Sequence, residues 1–320
     1  MSTDKLNLLE IAVITYNRHA KLARTLESLS QSVMGKCPIT IYDNASTDRT
    51  PEVVNDFVAK LPGLNYVRRT RNITIGPNLI LAYAEAKARY FWLLCDDDLI
   101  DPKECDKIHS QLASLEYDAI LLNALDLEGL SEGSFSSREL QQQKARLYYM
   151  GSFLPGIIYP TRIIDQAVLK SMMIHSMDLF PHIHLVHALA NADRKYYVHL
   201  GAALRREPNE DTGLSWVSYT YYWTKSITTL PRRERTLVFM DRFCAADKPA
   251  TMIIKSVAYV QAFRGERRID VFRTCLSMPL RFVMLMFPIL LSFLCPRSIL
   301  RKMAMTTKIG VLQPLDSNRM

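Results

Sequence analysis

Short apolar runs alternate with amphipathic stretches along the first 125 residues. Residues 11–16 (IAVITY), 39–42 (ITIY), 64–68 (LNYVR), 90–95 (YFWLLC) and 119–123 (AILLN) are brief and either β-branched and aromatic or flatly apolar. Such runs predict strands. Helical patterns lie between them: over about 19–32, from Thr50-Pro51-Glu52, after Gly76-Pro77 and after Asp101-Pro102. At the second, Thr50 is expected to cap, Pro51 suits the first turn and Glu52 favours the helix dipole. Strand–helix alternation at this spacing predicts an α/β fold built on a mostly parallel, Rossmann-like sheet flanked by helices.

The pattern then loosens. Residues 126–160 read as loop-rich (Gly129, Gly133, Gly151, Pro155, Gly156), with a Ser/Gln-rich stretch over 131–143. This is either a segment moving over a site or a surface insertion. A helix is expected from Thr161, another over 181–191, and a strand over 195–200. After about Gly213 the chain reads as helical, Arg-rich and aromatic, which divides it into a domain over 1–212 and a helical extension over 213–320. Within the extension, residues 282–295 (FVMLMFPILLSFLC) are 14 uncharged, mostly apolar positions interrupted by Pro288. A spanning helix needs about 20. Arg264, Arg267, Arg268, Arg273 and Arg281 precede the run, and Arg297, Arg301 and Lys302 follow it. It is either an interfacial helix on anionic lipid or a helix buried against the catalytic domain.

Charge sharpens that division. The formal net charge of +8 resolves into −3 over residues 1–215 and +11 over 216–320. The basic excess points to an anionic membrane surface. Nucleic acid is disfavoured, because the arginines are not interleaved with stacking aromatics. Six cysteines without a CxxC pair exclude a zinc ribbon or disulfide framework and fit a reducing compartment. Residues 1–10 lack the apolar core of a signal peptide, so a cytoplasmic, peripheral location is expected. Nothing in the sequence sets an oligomeric state.

Ligands of parallel α/β sheets sit beyond the carboxyl ends of the strands. Four such ends here are polar: Thr15-Tyr16-Asn17-Arg18, Asp43-Asn44-Ala45-Ser46-Thr47-Asp48, Arg69-Thr70-Arg71-Asn72 and Asp96-Asp97-Asp98. The chain has 11 glycines and no GxG, which excludes a dinucleotide fingerprint or Walker loop. A bound nucleotide would therefore need a metal and basic side chains. Three adjacent carboxylates repel one another unless a divalent cation, Mg²⁺ or Mn²⁺, joins them. Such a cation would offset charge developing on a diphosphate leaving group. The alternative is a solvated acidic turn capping the next helix. Asp43 could accept from a base or ribose, with Thr15, Asn17 and Arg18 as the opposite wall, while the Asn and Ser residues after it also suit a β-to-α turn. Arg69 and Arg71 are competent to bind phosphate or are simply solvated.

Taken in order, strand–TYNR, strand–DNASTD, RTRN with Gly76-Pro77-Asn78 following, and aromatic strand–DDD resemble the family-2 glycosyltransferases of GT-A fold over about residues 8–125. The resemblance implies a nucleotide diphospho-sugar donor bound by Thr15, Tyr16, Asn17, Arg18, Asp43, Asn44, Ser46, Arg71, Asn78, Asp96 and Asp97. It also implies a metal at Asp98, Asp97 and Asp96, the acidic cluster standing where that superfamily carries its DxD motif. Asp96 and Asp98 match D-x-D literally. Alignment on Pro102 instead puts Asp97 and Asp98 on the metal side and Cys95 where the first Asp often stands. With Phe180-Pro181-His182, the chain is similar to abequosyltransferase-like members that build bacterial O-antigen, implying a CDP-linked dideoxyhexose donor and a lipid-linked glycan acceptor. Many relatives carry Glu-Asp where Pro181-His182 stand. The base is therefore expected at His182, whose intrinsic pKa suits the task, or at Asp178. Ordinary core or capping histidines are the competing reading of His182, His184 and His187, and a histidine metal site, without an HExxH, is the third. Nucleotidyl transfer, or a non-catalytic sugar-nucleotide-binding subunit at a membrane, are the rival functions.

Overall fold

The computed structural model describes residues 8–122, 131–136, 139, 144–178, 180–206, 216–244, 256, 257, 260, 267–278, 298 and 299. The run at 282–295 lies outside them. By its internal contacts the chain divides into two compact units, residues 1–177 with 181–207, and residues 178–180 with 208–320.

The first unit opens with β1 (Leu9–Thr15), α1 (His19–Ser30), β2 (Ile39–Asp43), α2 (Thr50–Phe57), β3 (Leu64–Arg68), α3 (Ile75–Ala84) and β4 (Tyr90–Cys95). It continues through β5 (Asp98–Ile100), α4 (Pro102–Ala113), β6 (Ala119–Leu122), β7 (Gly133–Ser136), α5 (Lys144–Met150), β8 (Ile157–Pro160), α6 (Gln166–Ile174), α7 (Ile183–Ala190), β9 (Lys195–His199) and β10 (Leu204–Arg206). Among the described residues, eight strands form one sheet in the order β3-β2-β1-β4-β8-β6-β9-β7, and β5 pairs with β10 in a separate ribbon. Strands β1 to β4 are mutually parallel, as are β6 and β9, while β8 and β7 run against their neighbours. The sheet is therefore mostly parallel, as the sequence pattern predicts.

Alternation along the strands builds the core. Leu9, Ile11 and Val13 of β1, Ile39 and Ile41 of β2, and Tyr90, Trp92 and Leu94 of β4 share one face. They pack against Leu22, Leu26 and Leu29 of α1, Val54 and Phe57 of α2, and Cys105, Ile108 and Leu112 of α4. The intervening positions Phe91 and Leu93 are buried on the other face, where Phe91 meets Tyr83 of α3 with ring centroids 5.1 Å apart.

The loop-rich reading of 126–160 misses three elements: β7, α5 and β8. Strand β8 is buried between β4 and β6, and the Trp92 indole donates to the Pro155 carbonyl just before it at 2.9 Å. At α2 the cap also differs from expectation. Thr50 is the first helical residue, and the Asp48 carboxylate accepts from its N–H and hydroxyl at 3.1 and 2.6 Å. The second unit is helical where described, with α8 (Trp216–Ile227), α9 (Arg232–Cys244) and α10 (Arg268–Leu276). No helix of the described residues is long and apolar enough to cross a membrane.

Candidate active site

The face that buries Ile41, Val13 and Leu94 continues to the last residues of β2 and β1 as Asp43 and Thr15, and one residue beyond β4 as Asp96. The register sets Thr15 beside Asp43 and Ile14 beside Cys95, so these three polar groups lie in a row across neighbouring strands. Each is 4% exposed or less. The Thr15 hydroxyl donates to Asp96 Oδ2 at 2.8 Å, and the Thr25 hydroxyl of α1 donates to the Asp96 carbonyl at 2.9 Å.

Arg18, at the N-terminal boundary of α1, reaches over this row. Its guanidinium donates to Asp96 Oδ1 at 2.6 Å and to Asp97 Oδ2 at 3.0 Å. Burial pushes the Asp96 carboxyl up to about 6, against the pull of Arg18 and the Thr15 hydroxyl. The β1 and β2 loops are clasped together. Asn17 N–H donates to Ser46 Oγ at 2.9 Å, and Asn17 Oδ1 accepts from Thr47 N–H at 2.6 Å. Asn17 and Ala45 both hold positive φ, 52° and 65°, which the clasp must sustain.

Asp43 is fully buried. Its Oδ1 accepts from the Ser46 N–H and hydroxyl at 2.9 and 2.5 Å, and its Oδ2 from Tyr66 Oη at 2.5 Å, with Arg68 Nε at 3.5 Å. The sequence reading misses Tyr66 and Arg68. The signal was present: in β3 these two positions alternate onto the Asp43 face, whereas Arg69 turns away. Arg69 donates to Asn78 Oδ1 at 3.0 Å and lies over the Tyr42 ring, so it braces α3 against β2. Asn78 is buried with its amide also donating to the Tyr42 carbonyl at 3.0 Å. Asn44 accepts from Ile73 N–H at 2.9 Å and donates to Asn72 at 3.0 Å. Tyr16 and Arg71 are exposed.

In the acidic turn, Asp98 Oδ2 accepts from Cys95 N–H at 2.7 Å, folding the third carboxylate back toward the strand. One ligand atom each from Cys95, Asp97 and Asp98 lies within 4.8 Å of the others. Bond lengths of about 2–2.6 Å to a shared ion span that separation, and an O, O, S donor set fits a divalent cation. Asp96 is not part of this group; Thr15 and Arg18 engage its oxygens.

The two candidate bases fall in different units. His182 is 1% exposed at the N-cap of α7, and burial pulls its pKa down to about 4 against hydrogen bonding with the backbone of Ser152 and Gly151. Asp178 belongs to the second unit and pairs with Lys225 at 3.2 Å. His187 accepts or donates at Tyr148 Oη, 2.7 Å away, and His184 stacks on His175 with centroids 4.8 Å apart.

The family model described as glycosyl transferase family 2 matches residues 10–172 of the 320. The chain belongs to glycosyl transferase family 2. This family-2 glycosyltransferase is 23% identical over 234 residues to the uncharacterized glycosyltransferase MJ1057 of Methanocaldococcus jannaschii, covering 68% of this chain and 79% of the relative. Its fold resembles that of S. aureus TarS 1–349, with a TM-score of 0.54 at 16% identity over 87% of this chain and 82% of that one. Against TarS 1–349 in complex with UDP-GlcNAc the TM-score is 0.50 at 14% identity, covering 87% and 83%. The GT-A fold expected for the family-2 glycosyltransferase is therefore present.

Proposed function

We propose that this family-2 glycosyltransferase moves a sugar from a nucleotide diphospho-sugar to a lipid-linked glycan acceptor at the cytoplasmic face of a membrane, in surface-polysaccharide assembly of the O-antigen kind. The observation that carries the donor half is the row Asp43–Thr15–Asp96 with Arg18 fastened across it. It sets carboxylates for a nucleoside beside a cation and an acidic turn for a diphosphate. Asp43 faces the nucleoside, its orientation fixed by Ser46 and Tyr66. Arg18 holds Asp96 and Asp97 in place. When bound at Asp97 and Asp98, Mg²⁺ or Mn²⁺ would offset charge developing on the diphosphate. The acceptor hydroxyl gives its proton to His182 or Asp178. Burial keeps His182 uncharged at neutral pH but makes it a weaker base than a free imidazole, which leaves Asp178 as its equal alternative. The lipid-linked acceptor rests on the +11 of residues 216–320 and the apolar run at 282–295. The resemblance to abequosyltransferase-like members makes a CDP-linked dideoxyhexose the first donor to test, and the UDP-GlcNAc complex of TarS makes UDP-sugars the second.

A donor panel read by nucleoside diphosphate release tests the reaction, and pyrophosphate release would instead indicate nucleotidyl transfer. Asp98→Ala should abolish release while the circular dichroism spectrum is retained; normal turnover in that variant would refute the metal assignment. Comparing Asp178→Asn with His182→Gln identifies the base as the position whose loss stops transfer with donor binding unchanged.

A further inference from the structure

Cys95 brings a thiol into the acidic turn, where the reaction calls for oxygen ligands alone. As the last residue of β4 it shares strand parity with Phe91 and Leu93, so its side chain leaves the sheet on the face opposite Asp96. The bond from its N–H to Asp98 Oδ2 folds the third carboxylate back onto the strand end. Sulfur and two carboxylate oxygens thus converge within 4.8 Å, while Asp96 lies outside the group, its oxygens taken by Thr15 and by Arg18, which also reaches Asp97 Oδ2 at 3.0 Å. Asp97 and Asp98 are 2% and 1% exposed, so their charge is offset by Arg18 at Asp97 and screened little by water. Cys95 is half-buried, whereas Cys37, Cys105 and Cys275 are buried thiols. Ligand type sorts cations: Mg²⁺ takes oxygen and water, whereas later and softer divalent ions accept thiolate.

We propose that Cys95 Sγ is a ligand of the cation held by Asp97 and Asp98, and that it makes the site select Mn²⁺ and softer ions over Mg²⁺. The inference rests on the reading that these carboxylates hold the cation of a sugar-nucleotide transferase. Cys95 is then a specificity-determining residue for the metal, with the sugar chemistry unchanged.

The test titrates the full-length protein, without nucleotide, with Cd²⁺ alone and follows thiolate-to-cadmium charge-transfer absorbance in the ultraviolet. Mn²⁺ and Mg²⁺ then compete for the site. In the wild-type protein a saturable band of one equivalent should form and be displaced by Mn²⁺ at lower concentration than by Mg²⁺. Cys95→Ser should remove that band and weaken Cd²⁺ binding by at least about tenfold. Cys95→Asp should also remove the band yet still bind Cd²⁺ by calorimetry, with competition there giving a smaller Mn²⁺-over-Mg²⁺ ratio than in the wild type, which shows that the turn still folds. A band and a Mn²⁺-over-Mg²⁺ ratio that persist in both variants would overturn the proposal. If nucleoside diphosphate release still depends on Asp98 in that event, the transferase reading stands and only the thiol ligand falls. Release that is absent with every donor, alongside an intact Cys95-dependent band, would sink the transferase reading and keep the ligand.

Discussion

His182 carries a testable consequence of burial at the scale of a single side chain. Its folded pKa of about 4 lies below the unfolded value of about 6.5. Below pH 6.5 the unfolded chain therefore takes up a proton that the folded chain refuses, until the folded residue titrates near pH 4. The stabilisation is fully present above 6.5 and lost on acidification through that window, by about 3 kcal/mol. Urea denaturation at successive pH values should show a steeper loss between pH 6.5 and 4 for the wild type than for His182→Gln. Parallel curves would contradict the assignment. Asp48 shows the opposite balance. Burial opposes its charge, but the Thr50 hydroxyl and the backbone and ring of His19, with the Thr50 N–H, together hold its pKa down to about 2. Its place in the DNASTD run was visible in the sequence. That Asp48 accepts from Thr50, so that Thr50 opens α2 as a donor and does not cap it, follows from a loop geometry that residue types alone leave open.

At the level of elements, much of the site was legible because strand ends are. Thr15, Asp43 and Asp96 follow runs whose alternation fixes the face they extend, and Pro51 and Pro102 mark where helices begin. The less legible parts depend on distant partners. Strand β8 is four residues, IIYP, flanked by Gly156 and ending in Pro160, and only β4 and β6 make it a strand. The three-residue ribbon β5–β10 likewise exists because Leu204 finds Ile100 across about a hundred residues. Cys95 stands out in the sequence as a departure from the acidic motif, but its convergence with Asp97 and Asp98 depends on the fold of the turn. Close approach is equally hidden. At Gly76, in the first turn of α3, an added Cβ would run into the Ser176 backbone carbonyl just beyond α6. Gly76→Ala should therefore part the two helices and destabilise the protein by about 1–3 kcal/mol, read as a lower urea midpoint. An unchanged midpoint would mean that α3 and α6 yield without loss.

For the molecule as a whole, charge and hydrophobicity are unevenly distributed. With +11 gathered after residue 215, binding to anionic liposomes should fall steeply with salt and be lost on deletion of residues 278–302. Binding unchanged by that deletion would remove the run at 282–295 from the membrane proposal. The position of β8 has a further effect, on the order in which the protein can be made. Strands β1 to β4 are complete once residue 95 has been synthesised, but the β4 edge is closed only by Tyr159 and Pro160. Until then YFWLLC is an unpaired apolar border, the kind of edge to which another chain adds. A fragment ending at residue 125 should accordingly aggregate, and one ending at 207 should stay in solution, as sedimentation of the two would show. On the ribosome, the interval between residues 95 and 160 is the period in which this border stands uncovered.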